Sequence, residues 1–518
     1  MRTPDVTVVV AVYNTMPYLT ACLDSLVAQT IGHNRMQVIA VDDGSTDDSG
    51  AELDRYAASY PGLFTVLHQE NSGSPAAPSN RALDLATGRY VFFLGSDDYL
   101  GTEALQRLVD GADETESDIM LGRLVGVNGR NVFQGIFARD RTDIDLLNSA
   151  LPWAMSNTKL FRRSLLEEHG IRFPQDLRTG SDQPFTLRAV LASRRISVLT
   201  GYKFYYAVRR TDASNITYST TPEDFVSTTA RLMDHAAGLI PPGEVRDAVL
   251  RRHFTWELGK HLRAGFLDYD RGTQLRVQDG IRKLAEAYLT DNLRRRLDVK
   301  DRIPLSVAQY GELDDLIAVV RHQAQQGLMP LAADGDRVYA ALPGFREPRL
   351  GFADDWFDVT GSVAKSVFRL EAVNAHWDTF GDGAAALTFG VRSAVADLPL
   401  LSDPALQVRW GDVAGTVVDA TPDGTGTMLR FSFHPADLMA HAVAKMTRPV
   451  TAVVSTCGSS DEVAVRGKQL AGARRRILRR GLRVFVVTPT LDRHGRLMVA
   501  VTPVTPRRVL GRLRRALR

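Results

Sequence analysis

The 518-residue sequence predicts an α/β domain over residues 1–221, a helical middle region over 222–328 and a β-sandwich-like C-terminal domain over 352–505. Three observations carry this. Up to about residue 215, short β-rich runs alternate with segments of helical period, the pattern of a mainly parallel sheet flanked by helices. From Pro222 the apolar residues recur at the spacing of long amphipathic helices. Beyond Gly351, short alternating segments separated by turn residues recur, as in a sandwich of antiparallel strands.

Val6–Val12 is a continuous β-rich run and reads as the first strand. Pro17–Gln29 then sets Leu19, Leu23, Leu26 and Val27 on one helical face, with Asn14 or Thr15 placed to cap it and Pro17 tolerated in the first turn. Met36–Val41 is the second strand. It runs into Asp42-Asp43-Gly44-Ser45, where Ser45 and Asp48 have capping-box-like spacing for a helix ending before Pro61. Phe64–Gln69 reads as a strand, Ser79–Ala86 as a helix stopped by Gly88, and Tyr90–Leu94 as a fourth strand. That strand runs out into Asp97-Asp98 ahead of a helix near Thr102–Asp110. Glu244–Leu267 and Gln278–Arg296 read as long helices, and Leu328–Gly351, rich in Pro, Gly and Asp, as a linker. The strands expected beyond it are Val367–Ala375, Ala385–Arg392, Gln407–Trp410, Met428–Phe433, Val450–Ser455, Arg483–Thr488 and Leu497–Val501.

The composition, 44% hydrophobic and 24% charged, is that of a folded globular chain. Two cysteines, Cys22 and Cys457, lie far apart and no Cys/His set has zinc spacing, which points to a reducing cytoplasm rather than a disulfide framework. No charged-then-apolar leader and no membrane-length apolar run is present, so the chain reads as cytoplasmic and not integral to a membrane. The net charge of +3 conceals an asymmetry. Residues 471–518 hold fourteen Arg and one Asp, a surplus of thirteen positive charges that leaves the first 470 residues at −10. Within the basic tail 506–518, Val509, Leu510, Leu513 and Leu517 fall at helical intervals among arginines. That fits an interfacial helix on the anionic inner face of a membrane, or a solvated helical tail. The basic clusters lack the interleaved aromatics of a nucleic-acid surface.

Three strand ends present polar or acidic residues: Tyr13-Asn14, Asp42-Asp43 and Asp97-Asp98. Ligands of open α/β sheets collect beyond the carboxyl ends of strands, and paired carboxylates on a stiff turn suit magnesium or manganese carrying a diphosphate. The other reading is that Asp97 and Asp98 favour the start of the following helix. A glycine-rich dinucleotide fingerprint and a P-loop are both absent. His253, Trp256, Glu257 and His261 can share a helical face, which suits packing and surface better than a metal site because His253, Glu257 and His261 have no fourth ligand in sequence. Trp153 and Met155 suit either an aromatic floor for an acceptor or a core position.

The stretches Val8–Asn14, Val41–Asp47, Asn71–Gly73 and Phe93–Asp98, in this order and spacing, resemble the nucleotide-sugar half of family 2 inverting glycosyltransferases with the GT-A fold. Asn157–Leu165 and Gly180–Phe185 are similar to the acceptor-side segments of that family. Arg209–Asn215, with the β-sandwich tail, resembles the enzymes that glycosylate the poly(polyol phosphate) of wall teichoic acid. The resemblance implies a UDP-sugar donor, a glycan or polyol-phosphate acceptor, a manganese or magnesium ion and a homo-oligomer. It implies that Asp43 bonds the pyrimidine, that Ala11, Tyr13, Asn14, Asn71 and Ser96 line the donor site, and that Arg209 grips the diphosphate. Asp97 would ligate the metal, with Asp98 supporting it or binding the donor sugar, and Asp182 would be the general base, with Trp153 and Ser181 on the acceptor side. From the residues alone, Asp182 also reads as the N-cap of a helix over Phe185–Ala192, a part that Ser181 could fill equally well. Three departures stand out: Gly95 replaces the first acid of Asp-x-Asp, Ser79 stands where the family often has Arg, and Ser181 where Glu is frequent. They motivate the rival reading of a decayed glycan-binding scaffold. The β-sandwich is left as a subunit contact or an acceptor-binding module.

Overall fold

The structure, a computed structural model, describes residues 3–210, 221–326, 331–334, 337–362, 370–379, 385–393, 405–422, 427–440, 442–456 and 459–505. Cys457 and the basic tail 506–518 lie outside the described residues. The chain forms two compact units, Met1–His261 with Asp270–Arg296, and Leu262–Tyr269 with Leu297–Arg518.

In the first unit the strands are β1 (Val6–Val12), β2 (Met36–Asp42), β3 (Phe64–His68), β4 (Tyr90–Phe93), β5 (Tyr99–Leu100), β6 (Ile119–Gly122), β7 (Leu124–Val127), β8 (Leu160–Arg162), β9 (Ile196–Leu199) and β10 (Tyr205–Val208). The main sheet runs β3-β2-β1-β4-β8-β6-β9, and a small sheet runs β5-β10-β7. β1 is parallel to β2 and β4, as the alternation predicts, whereas β8 is antiparallel to both β4 and β6. A three-residue strand carries no period to read, which is why the inversion was invisible in the sequence. Val6, Val8, Val10 and Val12 share one core with Leu19, Leu23 and Leu26 of the helix α1 (Tyr18–Val27). Each such side chain contributes roughly 1.5–3 kcal/mol when fully removed from water.

The following helices are α2 (Ser49–Ser59), α3 (Ala76–Asp84), α4 (Ala104–Glu114), α5 (Arg163–Glu168), α6 (Asp182–Ala192), α7 (Pro222–Leu239) and α8 (Glu244–Arg252). Neither expected N-terminal signal caps its helix. α1 starts without a side-chain cap, and α2 begins at Ser49 because Ser45 binds elsewhere. β5 separates Asp97-Asp98 from α4, so the helix-start reading of that pair is replaced. The long helix expected over 244–267 is interrupted: α8 passes into a π-helical turn at His253–Leu258, and Ala264–Asp268 is 3-10 helical. The expected 278–296 helix is two, Arg271–Tyr288 and Asp291–Arg296. The first starts at the N-cap Asp270, which accepts the Thr273 amide at 3.0 Å.

The second unit carries the helices Val299–Tyr310 and Leu313–Gln326, then a hairpin, β11 (Leu331–Asp334) with β12 (Arg337–Ala340), inside the segment expected to be a linker. Its remaining strands are β13 (Leu370–Thr379), β14 (Ala385–Ser393), β15 (Ala405–Trp410), β16 (Val413–Ala414), β17 (Thr416–Pro422), β18 (Thr427–Phe433), β19 (Met446–Thr456), β20 (Ser459–Ala464), β21 (Arg476–Arg480), β22 (Arg483–Leu491) and β23 (Leu497–Pro503). They form two antiparallel sheets, β13-β14-β18-β17 and β16-β15-β19-β23-β22-β21, with β20 beside β19. The seven expected strands are present. β16, β17, β20 and β21 are additional, and β17 and β21 lack the apolar alternation that would reveal them.

Gly44 closes the turn after β2 with φ +74°, and a Cβ there would lie 2.7 Å from the backbone nitrogen of Asn71. Gly44→Ala therefore combines left-handed strain with a clash against backbone. The expected cost is about 2–4 kcal/mol, read as a fall in the urea midpoint with unchanged slope.

Candidate active site

β1 ends beside β2, and the chain reverses at Asn14, whose φ of +46° suits Asn better than a branched residue. Asn14 Oδ1 accepts from the backbone nitrogens of Thr46 at 2.7 Å and Asp47 at 3.3 Å, while its own backbone N–H donates to Ser45 Oγ at 3.1 Å. The loops after β1 and β2 are thereby tied together. Thr15 Oγ1 and Ser96 Oγ, 2.9 Å apart, tie in the loop after β4. Asp43 accepts from Gln69 Nε2 at 2.6 Å, and from Ser72 N at 3.1 Å and Ser72 Oγ at 2.8 Å, which fixes the segment after β3.

These loops enclose a cavity of about 550 Å³. Ala11, Tyr13, Asn14, Asp43, Asn71, Ser96 and Asp97 all line it, so the structure brings together seven of the residues expected around the donor. Arg209 is not among the lining residues; its neighbour Arg210 is, and so is Arg178. Arg210 Nε lies 2.7 Å from Asp97 Oδ2. Sequence reasoning named Arg209 from the Arg209-Arg210 pair where the structure places Arg210, and missed Arg178, which stands four residues ahead of Asp182.

Asp98 turns away from this cavity and lines a second one. Its Oδ2 accepts from Tyr205 OH at 2.5 Å and its Oδ1 from Val208 N at 2.7 Å. Burial, and then the charge of Asp97, push its pKa up to about 6. The expected carboxylate pair is thus divided, and Asp97 alone faces the donor cavity. Gly95 borders the same packing: a Cβ there would lie 2.8 Å from Asp98 Oδ2 and 3.1 Å from Tyr205 OH, so a side chain at 95 would have to displace these two side-chain ends. Among the described residues no three His, Cys, Asp or Glu side chains form a metal cluster. The donor set at Asp97 still fits a cation that arrives on a diphosphate, because phosphate oxygens and waters complete its shell and one protein carboxylate suffices.

The second cavity, about 330 Å³, holds Asp182 and Trp153. Asp182 is the first residue of α6, and Ser181, buried just ahead of it, makes no side-chain cap. Burial raises the Asp182 pKa against the opposing charges of Arg252 and Lys159. Lys159 is itself buried, donates from Nζ to Ser156 O, and is brought by burial to a pKa of about 7. Arg252 Nη1 donates to Gln183 Oε1 at 2.6 Å and pairs with Glu257 Oε1 at 2.6 Å. Trp153 packs edge-on against Trp256 with ring centroids 4.9 Å apart, and Phe133 joins them. His253 Nδ1 lies 3.6 Å from Glu257 Oε2, and His261 packs on the Phe225 ring. The arrangement offers a carboxylate beside an aromatic, cation-edged cavity, and a strand-end cavity that presents two arginines.

Residues 7–170 match the family model of Glycosyl transferase family 2, and residues 222–320 that of the Glycosyl transferase TarS linker domain. The chain is 36% identical over 265 residues to a poly(ribitol-phosphate) beta-glucosyltransferase of Bacillus spizizenii, covering 50% of this chain and 41% of that protein. It is 38% identical over 218 residues to the poly(ribitol-phosphate) beta-N-acetylglucosaminyltransferase TarS of Staphylococcus aureus, covering 42% and 38%. The matched stretch thus spans about two fifths of the length of each relative. The crystal structure of S. aureus TarS is similar over 97% of this chain and 86% of that one, with a TM-score of 0.63 and 22% identity, a likeness of fold. TarS 1–349 in complex with UDP-GlcNAc gives a TM-score of 0.57 at 29% identity, over 66% of this chain and 98% of that one.

Proposed function

We propose that this chain, whose residues 7–170 are a family 2 glycosyltransferase domain and whose residues 222–320 are a TarS-type linker domain, moves a sugar from a UDP-sugar to a hydroxyl of a polyol-phosphate or related cell-envelope polymer, with inversion. One observation carries the reading: seven of the residues expected around the donor line one cavity, while Asp182 lines a second cavity together with Asp98, the residue next to Asp97. The names of the relatives and the UDP-GlcNAc complex of TarS support the donor and acceptor classes.

In this mechanism Asp43 accepts from the pyrimidine N–H, a charge-assisted bond, while it keeps its grip on Ser72. Arg210 and Arg178 meet the diphosphate and stabilise charge as it builds on the leaving group. Asp97 would hold the divalent cation, which supplies further neutralisation of that charge when bound. Asp182 removes the proton from the acceptor hydroxyl as its oxygen attacks the anomeric carbon from the face opposite the departing UDP. Trp153 and Trp256 floor the acceptor. The reaction is proposed for the cytoplasmic side of the envelope; no helix among the described residues is long and apolar enough to cross a membrane.

The rival, a decayed glycan-binding scaffold, rests on Gly95, Ser79 and Ser181. The deciding experiment follows UDP release from a panel of uridine, thymidine and guanosine diphosphate sugars, with and without manganese. Manganese-stimulated release from one uridine donor, accelerated by a soluble polyol-phosphate acceptor, is the expected result. No binding and no release with any donor would favour the scaffold.

A further inference from the structure

We infer that the β21–β22 hairpin of the second unit is a docking surface for anionic lipid. Between Gln469 and Leu491 the sequence holds six arginines, Arg474, Arg475, Arg476, Arg479, Arg480 and Arg483, and no Asp or Glu. All six are exposed. Arg476 lies over the Trp377 ring, at 5.5 Å, and Arg479 Nε donates to Gly481 O at 2.7 Å. Arg474, Arg475, Arg480 and Arg483 have no ion pair among the described residues.

Charge alone would suit any polyanion, and the apolar residues choose between them. Leu482, at the tip of the turn, is 94% exposed and Ile477 is 69% exposed, among the most exposed large apolar residues described. The register sorts the hairpin into two faces. Leu478 lies opposite the buried Phe485, on the core side. Ile477 lies opposite Val486 and Arg479 opposite Val484, on the outer side. The Val504 backbone N–H donates to Val484 O at 2.8 Å, which sets Val504, just past the end of β23, beside that outer row. An apolar row with a protruding leucine, flanked by arginines whose stems can lie along it, matches the headgroup boundary of an anionic bilayer. A hydrophilic phosphodiester polymer would use the arginines and leave Leu482 in water. β21 is an edge strand, but repulsion between its arginines opposes pairing with a second copy.

The test uses the full chain and vesicles of phosphatidylcholine with or without about one third phosphatidylglycerol, an anionic content at which each arginine near the surface strengthens binding several-fold. The chain is expected to sediment with the anionic vesicles, less at high salt, and not with neutral ones. Arg479→Gln with Arg480→Gln, and separately Leu482→Ser, are each expected to lower partition roughly tenfold or more, with UDP binding and near-ultraviolet dichroism unchanged. Three results would overturn the inference. Leu482→Ser could partition like the native chain, as it would if the surface reads charge alone or if residues 506–518 do the binding. The variants could lose binding only to soluble poly(ribitol phosphate), which would identify the polymer as the occupant. Or they could change the oligomeric state by light scattering, which would identify a subunit contact.

Discussion

Asp182→Asn is expected to slow transfer to an acceptor by about 10²–10⁴-fold while UDP-sugar still binds, because the amide keeps the shape of the side chain and loses the capacity to take a proton. Single-turnover transfer together with calorimetric UDP binding checks both halves. Unchanged transfer would remove Asp182 from the mechanism and leave it a helix-start residue. The pH profile adds a sign. The base acts deprotonated, and burial lifts its pKa above the usual carboxylate value. The acid limb of kcat/KM should therefore lie above the ordinary aspartate range, with activity falling as the pH drops through it. The positive charge of Lys159 opposes that lift, so Lys159→Met should move the limb to higher pH. A limb that stays in place would mean that the lysine does not act on the base.

Asp97→Ala is expected to lower UDP release by about 10²–10³-fold, the scale of removing one group that stabilises the leaving charge, and to abolish stimulation by manganese. A competing role is visible, since Asp97 pairs with Arg210 at 2.7 Å and could act only by aiming that guanidinium at the diphosphate. The two roles separate in Asp97→Asn. A positioning role leaves manganese stimulation intact and raises the KM for donor, whereas a ligand role loses the stimulation and lowers kcat. Arg210→Gln supplies the reciprocal measurement, weakening donor binding while retaining the response to manganese.

What could be read from the sequence follows from how local each signal is. β1, β2 and β4 are continuous apolar runs ending in polar residues, and their boundaries were legible to within a residue or two. The donor cavity was legible for the same reason, since its lining sits at those strand ends. Residues that act across large separations were not. Arg178, Arg210 and Arg252 reach their cavities from an irregular segment, a strand end and a helix end respectively, and of the three only Arg210, in the Arg209–Asn215 stretch, carried a local sign of its place. The separation of Asp97 from Asp98 depends on Tyr205, more than a hundred residues away, so the pair read as one site. The capping box at Ser45 failed because Asn14 and Asp42, distant in one case and three residues back in the other, take up the groups the cap needed. The π-helical turn at His253–Leu258 has helical periodicity on both sides and therefore read as uninterrupted helix.

That turn has a bearing on how such proteins diversify. Arg252 and Trp256, which wall the base-side cavity, come from the helical segment, whereas the residues around the nucleotide-type cavity all come from the chain before residue 211. The rest of the base-side wall, from Asp98 to Ala207, comes from that same earlier stretch, so the helical segment adds two side chains to a cavity the first domain largely builds. Under the proposed function, drift at Arg252 and Trp256 would alter the acceptor side alone, because neither residue lines the nucleotide-type cavity.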